Sequence, residues 1–147
     1  MAIKARLDQS LTAALKSGDS LKASAIRLLK AGIKNREIEK RGELTDDEVI
    51  GLVSSAVNQR KDSIEQFARG GREDLVRKET QEMEFLMTFL PEPLSSEALD
   101  QEIRGAITEA GASGIQDMGK VMKVLMPRIK GRADGAAVQS RVRDLLQ

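Results

Sequence analysis

The sequence predicts an all-α protein: a four-helix N-terminal bundle followed by a small three-helix C-terminal domain. Three observations carry that expectation. The apolar set is Leu, Ile, Val, Ala and Met, with only three aromatics, Phe67, Phe85 and Phe89; straight-chain and small residues suit helices better than strands. Apolar residues recur every three or four positions, the helical period. Glycine, proline and capping residues fall between the periodic stretches, where helices start and stop. With 40% hydrophobic and 32% charged residues in a chain of 147, the balance is globular rather than disordered.

The first helix is expected over residues 2–16, with Ile3, Leu7, Leu11 and Leu15 as its stripe and Gly18 as its breaker. Asp19 is an N-cap candidate for a second helix running to residue 40, because a short carboxylate can accept from a free N–H of the first turn. Leu21, Ala25, Leu28, Leu29 and Ile33 are expected to face inward, and Gly42 to stop the helix. Thr45, Asp46, Asp47 and Glu48 read as a capping box, opening a third helix with the stripe Val49, Val53, Ala56, Val57, Ile64 and Phe67. Gly70 and Gly71 end it, since glycine takes the left-handed cap without steric cost. A fourth helix is expected over 73–90, before Pro91. The segment PEPLSS at 91–96 is the one proline-rich stretch and marks the boundary between domains at 1–92 and 95–147. Ser95 or Ser96 then caps a fifth helix facing inward with Leu99, Ile103, Ala106, Ile107 and Ala110. Asp117 caps a short sixth helix holding Val121, Val124 and Leu125, with Pro127 at its end, and Asp134 caps a last one holding Val138, Val142 and Leu145.

Two features break the pattern. Arg60 falls inside the apolar stripe of the third helix, and Glu79 inside that of the fourth, among Val76, Met83, Met87 and Leu90. A buried charge needs a partner, so Arg60 and Glu79 are expected to form a structural ion pair across the hairpin. Phe85 and Phe89 lie on the face opposite that stripe. A helix apolar on two faces is sandwiched, between the first two helices or against the C-terminal part, or else offers the pair to a partner.

The chain has no Cys and no His. Disulfides, Cys/His zinc sites and His-based nucleophilic triads are therefore excluded, and no metal, cofactor or catalytic residue is expected. No phosphate-binding glycine loop of the usual spacings occurs. No apolar run approaches the roughly 18 residues needed to span a bilayer, and the N-terminus lacks the apolar core of a secretory signal. A cytosolic protein without membrane contact is the expectation.

Net charge is +1 but uneven: residues 1–41 carry ten Lys/Arg and four Asp/Glu, residues 42–114 seven and sixteen, residues 115–147 seven and three. Either the acidic and basic helices complement each other, or a polyanion meets the ends. Lys120 and Lys123 share a helix face, and Arg128, Lys130 and Arg132 follow in a glycine-flanked turn that opens onto a helix N-terminus. Free N–H groups and flexible glycines there suit phosphate, so these five are the candidate RNA-binding residues; the plainer alternative is a solvated basic turn. The polar run NQRKDS at 58–63 reads as a solvated face. With no Trp, no Tyr and no Phe in the basic parts, stacking on single strands is poorly provided for. Folded RNA read by its backbone is the better fit, and DNA is not expected.

Several segments together resemble the stand-alone YqeY family: IRLLKAGIKNRE at 26–37, QRKDS at 59–63, Phe67 with GGR at 70–72, and FLP at 89–91. MGKVMK at 118–123 and GRADG at 131–135 resemble its tail module. That module also ends one subunit of the glutamine-dependent tRNA amidotransferase and is appended to some glutaminyl-tRNA synthetases. The resemblance runs in order along essentially the whole chain. It implies a four-helix bundle, a three-helix tail domain and tRNA contact through the tail, here the region 118–135 with Lys120, Lys123, Lys130 and Arg132.

The leading expectation is a tRNA-binding accessory protein acting beside an aminoacyl-tRNA synthetase or amidotransferase. An adaptor that docks a protein through Phe85 and Phe89 or the acidic middle is the alternative. A carbon–nitrogen ligase with glutamine as amido donor is a lesser one, implied by the family association alone. In the amidotransferase a separate, much larger catalytic body does the amidation, so no catalysis by this chain alone is expected.

Overall fold

In the computed structural model, which describes residues 2–147, seven α-helices and one 3₁₀ turn form two units, the first ending at Leu90 and the second spanning Pro91–Gln147. Among the described residues there is no strand, and no helix is long and apolar enough to cross a membrane.

The first unit holds α1 (Ile3–Ser17), α2 (Ser20–Lys40), α3 (Asp46–Arg69) and α4 (Glu73–Met87). Local chemistry sets most of their ends. Gly18 closes α1 in the left-handed conformation at φ 73°, and Asp19 accepts from the Lys22 N–H to start α2. At α3 both halves of the capping box form: Thr45 accepts from the Glu48 N–H and Glu48 accepts from the Thr45 N–H. Gly71, at φ 72°, turns the chain from α3 into α4. The end of α2 departs from expectation: the left-handed residue is Arg41 (φ 60°), while the Gly42 N–H reaches back to the Glu37 carbonyl.

The core of this unit is Ile3, Leu7, Ala25, Ile26, Leu29, Ile33, Leu44, Val49, Val53, Val57, Leu86 and Phe89. Leu15 (52% exposed) and Leu28 (62%) are not in it, contrary to expectation, and Ala14, Ala23 and Ile26 are buried instead. A residue spacing of four advances about 40° past a full turn. Three such steps carry Leu15 roughly 120° round α1 from Ile3. On α4 the expected stripe and the phenylalanines belong to one broad face centred between them. Leu86 and Glu82 are buried at its middle, Phe89 is buried at one edge and Met87 is exposed. The α-helix ends at Met87, with turns through Leu90. Phe85 and Phe89 meet edge to face at 5.3 Å, with Arg6 of α1 over Phe89 and Lys22 of α2 over Phe85. The pair is thus packed on the first two helices, and Phe89 is not available to a partner.

The capping box yields a pH dependence. The Lys40 ammonium, 2.5 Å away, and the Thr45 N–H lower the Glu48 carboxyl from the ordinary 4.5 to about 2. A group depressed in the folded state contributes stability above its unfolded value and loses it as pH falls through the folded one. Wild-type protein is expected to exceed Glu48→Gln in stability above pH 4.5, with the difference vanishing as pH falls toward about 2. Urea titrations across that range check this, and Thr45→Ala, which removes the other half of the box, is expected to cost about 1 kcal/mol.

The second unit holds α5 (Ser96–Ala110), a 3₁₀ turn (Ile115–Asp117), α6 (Met118–Ile129) and α7 (Gly135–Leu146). Its core is Ile103, Ala106, Val121, Leu125, Ile129, Val138 and Val142. Ser95 caps α5 and Asp134 caps α7, each side chain accepting from the N–H three residues on. Two expectations are corrected. Asp117 sits at the N-cap position of α6, but its carboxylate turns back to accept from Ser113 N–H and Oγ. Pro127 lies inside α6, which continues to Ile129; proline deprives only the Lys123 carbonyl of a helical donor, and the turn survives.

Candidate nucleic-acid interface

The five cations singled out at the C-terminal end are all in the second unit, and the structure sorts them. Lys120, Lys123 and Lys130 are exposed. Lys120 lies three residues before Lys123 and Lys130 seven after it, so the three fall along one side of α6 and its C-cap. Lys120 Nζ is 3.6 Å from Asp117 Oδ1. Lys123 and Lys130 have no charged or hydrogen-bonding partner among the described residues.

Arg128 and Arg132 are placed differently. Arg128 lies roughly 140° round α6 from Lys123 and is ion-paired with Glu109 of α5. Arg132 is half-buried; its Nε donates to the Glu92 carbonyl at 3.1 Å, and its own carbonyl accepts from the Leu94 N–H at 2.9 Å. Arg132 therefore ties the proline-rich segment to the turn after α6. The N-terminus of α7 is occupied by the Asp134 carboxylate, which accepts from the Ala137 N–H, so it is not the open anion site the sequence suggested. The five cations do not converge on one turn. Three form a row, and two are engaged within the fold.

Sequence reasoning missed the anions that answer these cations. Besides Glu109 and Asp117, Asp100 of α5 holds Arg141 of α7 through two bonds of 2.7 and 2.8 Å. Arg141 holds the Asp100 carboxyl below the ordinary carboxylate value, and the Ser113 N–H does the same for Asp117. The signal was available: residues 91–147 carry eight Lys/Arg and eight Asp/Glu. A tally begun at residue 115 leaves the acidic α5 outside and makes the unit look basic.

In the first unit, Arg60 stands between two carboxylates of α4. Its Nε donates to Glu82 Oε2 at 2.9 Å and lies 3.3 Å from Glu79 Oε2. The single Nε proton serves Glu82, and Glu79 Oε2, buried, has no hydrogen-bond partner. The three side chains, Arg60, Glu79 and Glu82, are 14%, 18% and 11% exposed. Glu82, absent from the sequence reading, is the better-bonded partner; its spacing of three from Glu79 on α4 was the available clue. A cation already held by carboxylates and buried in a hairpin has the character of a structural group. No group of His, Cys, Asp and Glu among the described residues is placed to hold a metal ion.

Comparison with known proteins adds the following. A family model described as "Yqey-like protein" matches residues 4–146. "Altered inheritance of mitochondria protein 41, mitochondrial" from Lachancea thermotolerans is 39% identical over 108 residues, covering 71% of this chain and 58% of the relative. The protein of that name from Saccharomyces cerevisiae (strain YJM789) is 35% identical over 117 residues, covering 75% and 63%. The one from Vanderwaltozyma polyspora is 39% identical over 85 residues, covering 57% and 46%. The chain thus spans about three fifths of the length of the first two relatives. The cytosolic expectation does not stand: these relatives are named as mitochondrial proteins, and lack of an apolar signal core does not distinguish the cytosol from an organelle reached by an amphipathic leader.

Proposed function

The chain belongs to the Yqey-like protein family, and from that premise we propose that it is a tRNA-binding accessory protein whose second unit contacts the backbone of folded tRNA. The observation that carries this reading is the row Lys120, Lys123 and Lys130 along α6 and its C-cap, with Lys123 and Lys130 exposed and uncompensated. Exposed ammonium groups without an internal partner release counterions when they meet phosphates. The lack of Trp and Tyr supports backbone contact over base stacking. The likeness of MGKVMK at 118–123 and GRADG at 131–135 to the tail module shared with the tRNA amidotransferase supports tRNA as the polyanion. It also supports a synthetase or an amidotransferase as the enzyme served.

The test is titration of the purified protein with folded tRNA and with single-stranded RNA of equal length, across a salt series. Saturable preference for folded tRNA is expected. The variant carrying Lys120→Ala, Lys123→Ala and Lys130→Ala is expected to lower the salt slope by about one for each phosphate no longer neutralised. Arg128→Ala, which removes a group engaged with Glu109, is expected to leave the slope nearly unchanged. Equal affinity for both RNAs, or a triple variant that binds like wild type, contradicts the proposal.

A further inference from the structure

We propose that the outward face of α2 is a docking seam for an acidic amphipathic helix of a partner protein. The helix buries one face on the core through Ala25, Ile26, Leu29 and Ile33. A second series, Leu21, Ser24, Leu28, Ala31, Asn35 and Ile38, alternates steps of three and four along the other side. That alternation is the spacing of a coiled-coil seam. Its largest outer members are left in solvent: Leu28 is 62% and Ile38 66% exposed, the two highest values among the exposed large hydrophobics.

The seam has a receiving shape. Between α2 and α3 lies a depression of about 210 Å³, bounded by Leu28, Gly32, Leu52 and Ala56 with Arg60 at one end. A Cβ built on Gly32 meets no atom within 4 Å, so packing inside this unit does not require glycine there. Mid-helix glycine is costly to helix stability. The open space over it admits a side chain from an opposing helix.

Charge selects the occupant. Arg27 and Lys34 stand seven apart along one edge of the seam, and Arg41, the left-handed residue that ends the helix, follows them at the same interval in sequence. All three are exposed, with no ion pair or hydrogen-bonding side-chain partner among the described residues. This is the flanking position at which charge sets partner choice in helix pairs. An opposing helix with Glu or Asp on its matching edge neutralises the row. A second copy does not: antiparallel pairing sets Arg27 and Lys34 against the same residues of the other copy, and parallel pairing offers them one carboxylate, Glu39, which already lies 3.9 Å from Arg36. A nucleic acid would answer the charges but leave Leu28 and Ile38 uncovered.

The test uses the full chain and two fluorescent peptides of three heptads, both with Leu at the seam positions. One has Glu at the flanking positions and the other Lys. Saturable binding of the Glu peptide is expected, weaker by about tenfold or more for the Lys peptide. Leu28→Glu and Ile38→Glu, both at exposed positions, are each expected to lower binding of the Glu peptide by about tenfold with an unchanged thermal melt. Arg27→Glu with Lys34→Glu is expected to reverse the preference. Equal binding of the two peptides overturns the proposal, as does unchanged affinity in Leu28→Glu and Ile38→Glu. A wild-type dimer in sedimentation that Leu28→Glu converts to monomer also overturns it, by assigning the face to a second copy.

Discussion

Arg60→Ala is expected to destabilise the N-terminal unit by about 3–5 kcal/mol, the usual cost of removing one member of a buried ionic group. The large size follows from what is left behind. Glu79 and Glu82 stay on α4 with little access to water, 18% and 11% exposed, and lose the guanidinium that stands between them. Glu79 Oε2 has no hydrogen bond even in the intact protein, so it has no reserve partner. The loss belongs to the uncompensated carboxylates rather than to the pair itself. Replacing all three residues by leucine is therefore expected to recover most of the stability, because an apolar cluster of similar volume escapes the desolvation penalty. Urea denaturation of the two variants checks this. A mild Arg60→Ala, within about 1 kcal/mol of wild type, would mean that water reaches the cluster and screens it as at a surface.

Leu125→Ala is the second large effect. Leu125 is fully buried at the middle of α6 among Ile103, Val121, Ile129, Val138 and Val142. Leucine-to-alanine at such a site costs about 2–5 kcal/mol, the transfer term plus the cavity. The second unit spans only Pro91–Gln147, and a core this small has little stability to spare. Hydrogen exchange over α5, α6 and α7 is the readout, with protection expected to collapse there. Since α6 and its C-cap carry Lys120, Lys123 and Lys130, RNA binding is expected to fall with it even though every cation remains in the sequence. Retained protection would show that the three helices draw their stability from elsewhere than this core.

How much of this was legible follows the range of the physics. Helix starts were readable where a side chain caps its own first turn, at Asp19, Thr45, Ser95 and Asp134, because donor and acceptor lie three residues apart. Asp117 shows the limit: the right residue at the right position spends its carboxylate on Ser113, an equally local competitor. Buried faces were less readable. The inward arc of α4 is broad enough to take in both Met83 and Phe89 because different helices cover its two edges, and periodicity alone split that arc into two faces. At the site, the residue types were visible and their pairing was not. Arg128 and Lys130 look equivalent in sequence; only the arrival of Glu109 from α5 separates the structural cation from the free one. Arg60 was legible as an anomaly; Glu82 was legible only through its spacing of three from Glu79, which places both carboxylates on one side of α4 without saying that they share one guanidinium.

The central claim is that folded tRNA meets the lysine row of α6 rather than the basic N-terminal helices, where residues 1–41 carry ten Lys/Arg and four Asp/Glu. Backbone amide chemical-shift mapping of the full chain during titration with folded tRNA tests it most directly. The account predicts shifts and broadening concentrated from Met118 to Arg132, with Lys123 and Lys130 among the strongest and the α2 amides unmoved. Shifts confined to α1 and α2, or none at tRNA concentrations that saturate binding, would contradict it.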